Sequence, residues 1–243
     1  MKTLQKIPGY NNLVNLKNTR RATLLYRAKT NDIIKKYLAS TSKPKLQIGC
    51  GNNFHEGWLN TDRYPSSDQA AFLDASKVFP FKDETFDFIY SEHIFEHLTF
   101  KESSTMISEC WRVLKPNGVM RLATPSADFL FDMYRNPDNP KYREYLEWSS
   151  KAFCTDMEKL LEGKSENLEI YVINNFYRAW GHKVIHNFNS LKELVLKLNF
   201  SDVQKKEVGS SQIEELCNLE RHGNEIPEHF NKLETLIIEA KKS

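Results

Sequence analysis

Short apolar segments alternate with helical segments between residues 45 and 123, and this alternation limits the fold more than any other feature. Residues 104–114 carry apolar side chains at helical spacing, and the Lys-Pro-Asn-Gly sequence at 115–118 predicts a turn. Strands that alternate with helices are typical of a parallel, doubly wound α/β sheet. The five predicted strands of this part are 45–48, 58–61, 71–73, 86–90 and 119–123.

The C-terminal part continues this pattern after an interruption. The sequence Ser-Leu-Lys-Glu at 190–193 has the form of a capping box and predicts that a helix begins there, followed by strands at 202–208 and 235–240. Residues 126–188 are rich in aromatic side chains, and Pro137 and Pro140 argue against one long helix. Such an insertion forms a substrate lid, an additional packed helical subdomain, or both.

We therefore expect a single domain with four parts. They are an N-terminal helical segment at 1–43, a core at 44–125, the insertion at 126–188 and the C-terminal part of the sheet at 189–243.

Composition excludes several classes of protein. The formal net charge of +2 gives no reason to expect a nucleic-acid or anionic-membrane partner. The four cysteines are widely spaced and form no CxxC pair, which favours a reducing cytoplasm over a disulfide framework. No apolar run approaches the roughly 20 residues needed to span a bilayer. We expect a cytoplasmic protein without a membrane span.

Gly49 and Gly51 follow the first predicted strand, where a helix is expected to begin, and they allow a ligand to approach the backbone closely. The dinucleotide fingerprint fails because position 54 is Phe. Asp62 and Asp74 end the next two strands, and the carboxyl ends of parallel strands line one crevice. A carboxylate there can accept both hydroxyl hydrogens of a ribose, although a turn or cap role remains open for either aspartate.

Four strings in this part resemble one family as a set: LQIGCGNN, WLNTD, FPFKDETFDFIYSEHIFEHL and ECWRVLKPNGVMRLATP. They are similar to the core of the class I S-adenosylmethionine-dependent methyltransferases, in particular the methyltransferase type 11-like group. The resemblance implies a Rossmann-like, doubly wound, mostly parallel seven-stranded sheet with an antiparallel last strand. N-terminal helices and the aromatic-rich insertion after the fifth strand would complete this fold.

The resemblance also implies S-adenosylmethionine as the cofactor and a set of residues that would bind it. The family usually carries an acid at the position of Gln47 and a third glycine at the position of Asn53, so this chain departs from the pattern twice. The implied cofactor-binding residues are Gln47, Gly49, Cys50, Gly51, Asp62, Asp74, Ala75, Ser91 and His93.

A finer resemblance concerns the acceptor of the methyl group. The string GHKVIHNFNSLKELVLKLNF and the later LERHG are similar to bacterial methyltransferases associated with surface-polysaccharide synthesis. This implies a small-molecule or glycan acceptor, and in particular O-methylation of a sugar or sugar-lipid.

Methylation of a hydroxyl requires a general base, and a histidine titrates near neutral pH. The candidate bases are His182, His186 and His97, with a purely structural role left open for His97. Aromatic side chains of the insertion are candidates for stacking on the acceptor, with core packing as the alternative. These are Tyr134, Tyr145, Trp148, Tyr177 and Trp180.

Two other functions stay open at this point. His93, Glu96 and His97 have the H-x-x-E-H spacing of a class of zinc peptidases, which would require a further ligand. The departures at Gln47 and Asn53 would also fit a binding protein that keeps the fold without turnover. We favour the methyltransferase, in which the spacing joins a strand-end histidine to a helix start and no metal is expected.

Overall fold

The computed structural model describes residues 10–243, with the side chains of residues 10–23 and 25 outside the description. Residues 1–9 of the predicted N-terminal segment lie outside the described residues, and the described remainder is one helix. The helices are α1 (Tyr10–Ser40), α2 (Phe100–Val113), α3 (Ala127–Arg135), α4 (Pro140–Phe153), α5 (Thr155–Leu160), α6 (Leu168–Arg178), α7 (Phe188–Lys197) and α8 (Glu228–Glu234). The strands are β1 (Lys45–Ile48), β2 (Leu59–Asp62), β3 (Ala71–Phe72), β4 (Phe86–Glu92), β5 (Leu114–Pro125), β6 (Phe200–Lys206) and β7 (Thr235–Lys242).

The seven strands form one sheet in the order β3-β2-β1-β4-β5-β7-β6. Neighbours from β3 to β5 are parallel, whereas β7 pairs antiparallel with both β5 and β6. The predicted Rossmann-like, mostly parallel sheet with an antiparallel last strand is therefore confirmed. In this order the carboxyl ends of β1, β2 and β4 lie side by side, which is where the predicted crevice belongs.

Strand β5 contains the predicted Lys-Pro-Asn-Gly turn as a bulge. Leu114 lies opposite Phe86 and Val119 lies opposite Phe88, so four residues loop out of the ladder between two adjacent pairings. Asn117 takes a φ of 66°, a conformation that asparagine tolerates better than most residues. Because the strand includes this bulge, β5 begins at Leu114, five residues before the start of the strand predicted at 119–123.

The two faces of the sheet are covered differently. Successive side chains of a strand point to opposite faces, so Ile89 packs beneath the helices while Phe88 and Tyr90 face the other way. The helix-covered face receives the apolar sides of α1, α2 and α7. On the opposite face, Leu216 and Leu219 of the loop between β6 and α8, residues 207–227 and here called the late loop, complete a smaller cluster.

Arg121 of β5 fastens this late loop to the sheet. Its guanidinium is fully buried, with Nε 2.7 Å from Glu220 Oε1 and Nη1 2.6 Å from Glu239 Oε1. Nη1 also donates to the carbonyl of Ser210 at 2.9 Å. A buried charge is stable only when paired in this way, so the segment around 207–220 is held at a fixed position.

Two local predictions are wrong. No helix follows Gly51, because residues 49–58 form turns before β2 begins. The N-cap of helix α7 is Asn187, three residues before the predicted cap at Ser190, and the helix begins at Phe188. The Asn187 side chain accepts from the Ser190 N–H at 2.9 Å, so the Asn-x-x-Ser pattern caps the helix in place of Ser-x-x-Glu.

The insertion packs as a second hydrophobic cluster. Helix α3 ends before Pro137, and α4 begins with Pro140 at its first position, as expected for proline at a helix start. Phe129, Tyr145 and Phe176 meet Phe230 of α8 in this cluster. The insertion is thus both a packed helical unit and, through some of its residues, a wall of the cleft. Among residues 10–243, no helix is long and apolar enough to cross a membrane.

Candidate active site

A cleft of about 590 Å³ opens at the carboxyl ends of β1, β2 and β4, beneath the insertion. Residues of the sheet edge, the insertion and the late loop share its wall. The lining residues are Gln47, Gly49, Cys50, Gly51, Asn52, Asn53, Asp62, Glu92, His93, Ile94, Glu96, His97, Pro125, Tyr145, Trp148, Phe153, Phe176, Trp180, His182, His222, Glu225, Ile226 and Glu234.

The glycine turn after β1 leaves its backbone open to the cleft. Gly49 has a φ of +74° and donates its N–H to the carbonyl of Thr61 at 2.8 Å. A Cβ built on Gly49 would lie 2.1 Å from Ile94 Cγ1, whereas one on Gly51 would meet nothing within 4 Å. The first glycine is therefore required by conformation and space, and the second leaves room for a ligand.

Asp62 lies beside this turn at the end of β2. Its Oδ2 accepts the N–H of Gly51 at 2.9 Å, and its Oδ1 accepts the N–H of Tyr64 at 2.6 Å. A carboxylate has about four acceptor sites, so lone pairs remain available on the cleft side. The hydrogen bonds hold the carboxylate in place for a ligand with paired hydroxyl groups.

Gln47 adds an acceptor at the base of the cleft. Its Nε2 donates to the carbonyl of Asn53 at 2.9 Å, while its Oε1 is buried without a hydrogen-bond partner among the described residues. A buried oxygen without a donor is costly, and the ammonium group of a bound amino acid would satisfy it. With the open glycine turn and Asp62, this wall fits a nucleoside that carries an amino acid, such as S-adenosylmethionine.

Three of the predicted cofactor residues lie outside the cleft lining. Asp74 accepts hydrogen bonds from the N–H and the hydroxyl of Ser76, at 3.0 and 2.6 Å. These are the bonds of a turn residue, the alternative role that the sequence left open for this aspartate. Burial raises the pKa of Asp74, but these hydrogen bonds and the charge of Arg63 outweigh it and leave that pKa below its ordinary value. Ala75 packs into the hydrophobic core, and Ser91 is buried to 1% exposure within β4.

His93 and Glu96 form an ion pair in the wall of the cleft. Nδ1–H of His93 donates to Glu96 Oε1 at 2.9 Å, and Thr124 Oγ1 donates to Glu96 Oε2 at 3.1 Å. Burial lowers the pKa of His93, but attraction to Glu96 outweighs it and raises the pKa to about 9. His93 is therefore protonated at neutral pH and is a hydrogen-bond donor, not a base.

The late loop contributes a second polar group to the cleft. The His222 ring stacks 4.0 Å from the His93 ring, and His222 Nε2 lies 3.3 Å from Glu234 Oε1. The hydroxyl of Tyr145 donates to the other oxygen of Glu234. Both carboxylate oxygens of Glu92 accept backbone N–H groups from residues 221 and 222, which fixes this loop against the end of β4.

Two of the three candidate bases face the cleft. The rings of His97 and His182 meet edge to face with centroids 5.0 Å apart. His182 Nδ1 lies 2.6 Å from the carbonyl of Phe176, and burial lowers the pKa of His182 below its ordinary value. His186 is 4% exposed and packs outside the cleft against Phe95, so the structure does not place it near a substrate.

Of the five aromatic residues predicted to stack on the acceptor, three line the cleft and two do not. Tyr145, Trp148 and Trp180 line the cleft, whereas Tyr134 and Tyr177 are 53% and 39% exposed on the outer surface of the insertion. Trp180 has a φ of +54°, and its ring meets Phe153 at 5.1 Å. Helical spacing explains only the pair Tyr145 and Trp148, which lie three positions apart on α4 and share a face.

The H-x-x-E-H spacing does not create the ligand set expected for a zinc peptidase. His93 has a positive φ of 49° at the strand end, and residues 95–97 form a single 3₁₀ turn. Among the described residues, the ligand atoms that come together belong to Glu96, His97 and His182, and His93 is not one of them.

Several cleft residues were not found from the sequence. Glu96 lies within the string FPFKDETFDFIYSEHIFEHL, but we considered it only as part of the H-x-x-E-H spacing of a zinc site. His222 and Glu225 come from the polar stretch 210–232, whose periodicity indicates no element, although the LERHG string ends at Gly223; Glu234 follows that stretch. They reach the cleft through contacts between residues about 130 positions apart, such as His222 N with Glu92.

Residues 46–122 match the family model described as a methyltransferase domain. No curated protein matches the chain.

Similar solved structures include a SAM-dependent methyltransferase from Archaeoglobus fulgidus, at 16% identity over 95% of this chain and 99% of that one, with a TM-score of 0.49. A second, from Mesorhizobium loti, has 14% identity over 86% and 96% of the two chains and a TM-score of 0.47. A third, from Methanosarcina mazei, has 20% identity over 86% and 96%, with a TM-score of 0.43.

Proposed function

Since this chain is an S-adenosylmethionine-dependent methyltransferase, whose residues 46–122 match the model of a methyltransferase domain, we propose that it methylates a hydroxyl group of an uncharged, sugar-like acceptor. The cofactor supplies an electrophilic methyl group on a sulfonium. The chain's own residues then have to bind the cofactor, orient the acceptor and deal with the hydroxyl proton.

The composition of the cleft lining carries the proposal. Among the described lining residues there is no lysine or arginine, but there are five carboxylates, four histidines and five aromatic rings. Phosphate and diphosphate groups are ordinarily bound by arginine or lysine, so a phosphorylated or nucleotide-linked acceptor fits this cleft poorly. Aromatic rings that stack on a sugar face, together with carboxylates that accept hydroxyl hydrogens, fit a neutral sugar.

The cofactor side of the cleft has a defined set of contacts. Gln47 Oε1 would accept from the ammonium of the methionine part, Asp62 would accept from the ribose hydroxyls, and the backbone at Gly49 to Gly51 would line the space between them. This assignment rests on the unpartnered Gln47 oxygen and on the two backbone hydrogen bonds that hold Asp62. Neither departure of the sequence from the family pattern removes these contacts.

The acceptor hydroxyl belongs at the end formed by Glu96, His97 and His182. These are the cleft groups with lone pairs close to one another, whereas His93 is held as a donor by Glu96. Trp180 and Phe153 lie at the same end and supply the stacking surface. Holding the nucleophile and methyl group in near-attack geometry supplies much of the rate in such a displacement.

The five carboxylates also favour a second candidate, methylation of a cationic amine. An amine would be attracted to Glu225 and Glu234, both of which line the cleft. It would still have to lose a proton before attack, so the same histidine end would serve it.

The test is methyl transfer from radiolabelled S-adenosylmethionine to a panel of acceptors, with products identified by mass spectrometry. The panel contains neutral glycosides, sugar phosphates, nucleoside diphosphate sugars and primary amines. We expect turnover with neutral glycosides and none with the phosphorylated sugars. Turnover confined to the phosphorylated sugars would contradict the proposal, and turnover confined to amines would select the second candidate.

A pair of tryptophan and tyrosine variants tests the stacking wall. Trp180 and Tyr134 are exposed to similar extents, 50% and 53%, but only Trp180 lines the cleft. Loss of a stacked ring costs about 1 kcal/mol, so Trp180→Ala should raise the KM for the glycoside roughly 5-fold. Tyr134→Ala should leave this KM unchanged, and equal effects of the two substitutions would remove Trp180 from the acceptor site.

A further inference from the structure

Glu96, His97 and His182 bring three potential metal ligands into one corner of the cleft. One ligand atom from each residue lies within 4.8 Å of the others. Metal bonds of about 2.1 Å place neighbouring ligands about 3.0 to 3.4 Å apart, so shifts of about 1 Å or less would close the set around an ion.

The hydrogen bonds around these residues are those of metal ligands. A carbonyl oxygen can only accept, so His182 Nδ1 carries the hydrogen that it donates to Phe176, and its Nε2 keeps a lone pair. Histidines that bind metals usually donate their other N–H to a carbonyl or carboxylate in this way. Glu96 is fully buried, and each of its oxygens accepts one hydrogen bond, which orients the carboxylate and leaves a lone pair on each oxygen.

The backbone also fixes the two ligand-bearing segments against each other. The N–H groups of Lys183 and Val184 donate to the carbonyl of Glu96 at 2.7 and 3.2 Å. Gly181 takes a φ of +82°, and a Cβ there would lie 3.8 Å from His97 Nδ1. The loop that carries His182 is therefore joined directly to the turn that carries Glu96 and His97, as a preformed metal site requires.

The charges of the cleft favour a cation. Its described lining has five carboxylates and no lysine or arginine, so the carboxylates outnumber the protonated His93 beside Glu96. Glu92, Glu225 and Glu234 lie in the same cleft wall, so a cation at Glu96 would be attracted by more than its own ligands.

We propose that Glu96, His97 and His182 bind one divalent transition-metal ion, and that its remaining positions take adjacent hydroxyl groups of the acceptor. Two imidazoles and one carboxylate suit manganese, iron, cobalt or zinc better than magnesium, which prefers oxygen ligands. The ion would orient a pair of neighbouring hydroxyls, which narrows the acceptor to a sugar with a vicinal diol. The site itself is independent of the proposed O-methylation, whereas this role for the ion rests on it.

Atoms and electrons balance in the proposed methyl transfer. With the ion bound, the lone pairs of His97 and His182 coordinate it and do not take the proton; the ion would lower the pKa of the coordinated hydroxyl, which would release its proton to water. The C–S bond of the sulfonium breaks as the C–O bond forms, and the electron pair of the C–S bond stays on sulfur. The metal changes neither charge nor oxidation state.

The test is calorimetric titration of the purified, EDTA-treated full chain with Mn²⁺, followed by the visible absorption spectrum of the Co²⁺ form. We expect one equivalent of Mn²⁺ to bind. His97→Asn and His182→Asn should each weaken this binding at least tenfold. His229→Asn is the matched control, because His229 is exposed on α8 and is not among the residues lining the cleft.

Titration with S-adenosylhomocysteine is carried out on every variant to show that it is folded. Absence of Mn²⁺, Co²⁺ and Zn²⁺ binding to the parent overturns the site, as does parent-like binding by His182→Asn. If a variant fails to fold, ring signals of the seven histidines in the parent decide instead. Zn²⁺ should then perturb the signals of His97 and His182, and signals that do not respond would refute the site.

Metal binding without methylation of any glycoside would contradict the proposed function and leave the site standing.

Discussion

Replacing Arg121 by methionine should destabilise the protein more than any surface substitution. Arg121 is fully buried between Glu220 and Glu239, whose carboxylates lie 2.7 and 2.6 Å away. Methionine fills a similar volume but leaves two buried carboxylates without the guanidinium, and the cation that remains at Glu239, Lys206 Nζ, is 3.8 Å away. Breaking a buried ion pair by removing one partner costs about 3 to 5 kcal/mol.

The loss would be large compared with the total stability of a domain, which is about 5 to 15 kcal/mol. The effect should also be local, because Arg121 donates to the carbonyls of Glu207 and Ser210. Without these bonds the loop that carries His222 to the cleft loses its anchor on the sheet. We therefore expect faster amide hydrogen exchange in residues 207–225 of Arg121→Met.

Urea unfolding followed by circular dichroism measures the free-energy change, with Arg143→Met as the control. Arg143 pairs with Glu147 on the exposed surface of α4, at 2.9 Å, and such pairs contribute about 0.5 kcal/mol or less. The triple substitution Arg121→Met, Glu220→Gln, Glu239→Gln should recover most of the loss, because it removes the unpaired charges. A loss for Arg121→Met no larger than that for Arg143→Met would refute the reasoning.

Three further predictions concern the glycine turn and its surroundings. Burial lowers the pKa of His55 to about 4, so below about pH 6.5 the unfolded chain binds a proton that the folded chain does not. Stability should then fall by about 3 kcal/mol between pH 6.5 and 4, and His55→Phe should flatten the dependence of the urea midpoint on pH. Gly49→Ala should cost at least about 1 kcal/mol and weaken S-adenosylhomocysteine binding in calorimetry, because φ is +74° and the new Cβ meets Ile94. Burial raises the pKa of the Cys50 thiol to about 12, so iodoacetamide at pH 8 should modify Cys50 only after unfolding, as peptide mass mapping will show.

The core of the fold was predictable because its signals are local. Strand β1 was predicted to the residue, and β2 and β3 to within one residue, since short apolar runs end there in glycine or aspartate. The turns after Gly51, where we predicted a helix, were not predictable in the same way. Turn formation wins there because Gly49 and Gly51 take positive φ values and Asn53 bonds back to Cys50.

The start of α7 shows a different limit. Ser190 and Glu193 have capping-box spacing, but Asn187 and Ser190 have a competing pattern one turn earlier. Asparagine is at least as good an N-cap as serine, and extending the helix to Phe188 adds intrahelical hydrogen bonds. Spacing alone does not decide between two overlapping caps, whereas the packing of α7 against β6 and β7 does.

The acceptor side of the site was predictable only in part, because it depends on contacts between distant segments. The aromatic-rich insertion indicated a wall, yet periodicity did not distinguish Trp180, which lines the cleft, from Tyr177, which lies outside it. His182 was singled out from its place at the end of the insertion. Its closeness to Glu96 follows from backbone hydrogen bonds across more than 80 residues, which no sequence pattern encodes.

The most direct test of the account is calorimetric titration of the parent, Asp62→Ala and Asp138→Ala with S-adenosylhomocysteine. Asp62 lines the cleft, whereas Asp138 is exposed on the insertion, so the second variant controls for loss of a carboxylate. Losing hydrogen bonds to a charged group costs about 1.5 to 3 kcal/mol. The account predicts tight binding by the parent and Asp138→Ala, and binding at least about tenfold weaker by Asp62→Ala. No binding by the parent, or equal binding by all three proteins, would contradict it.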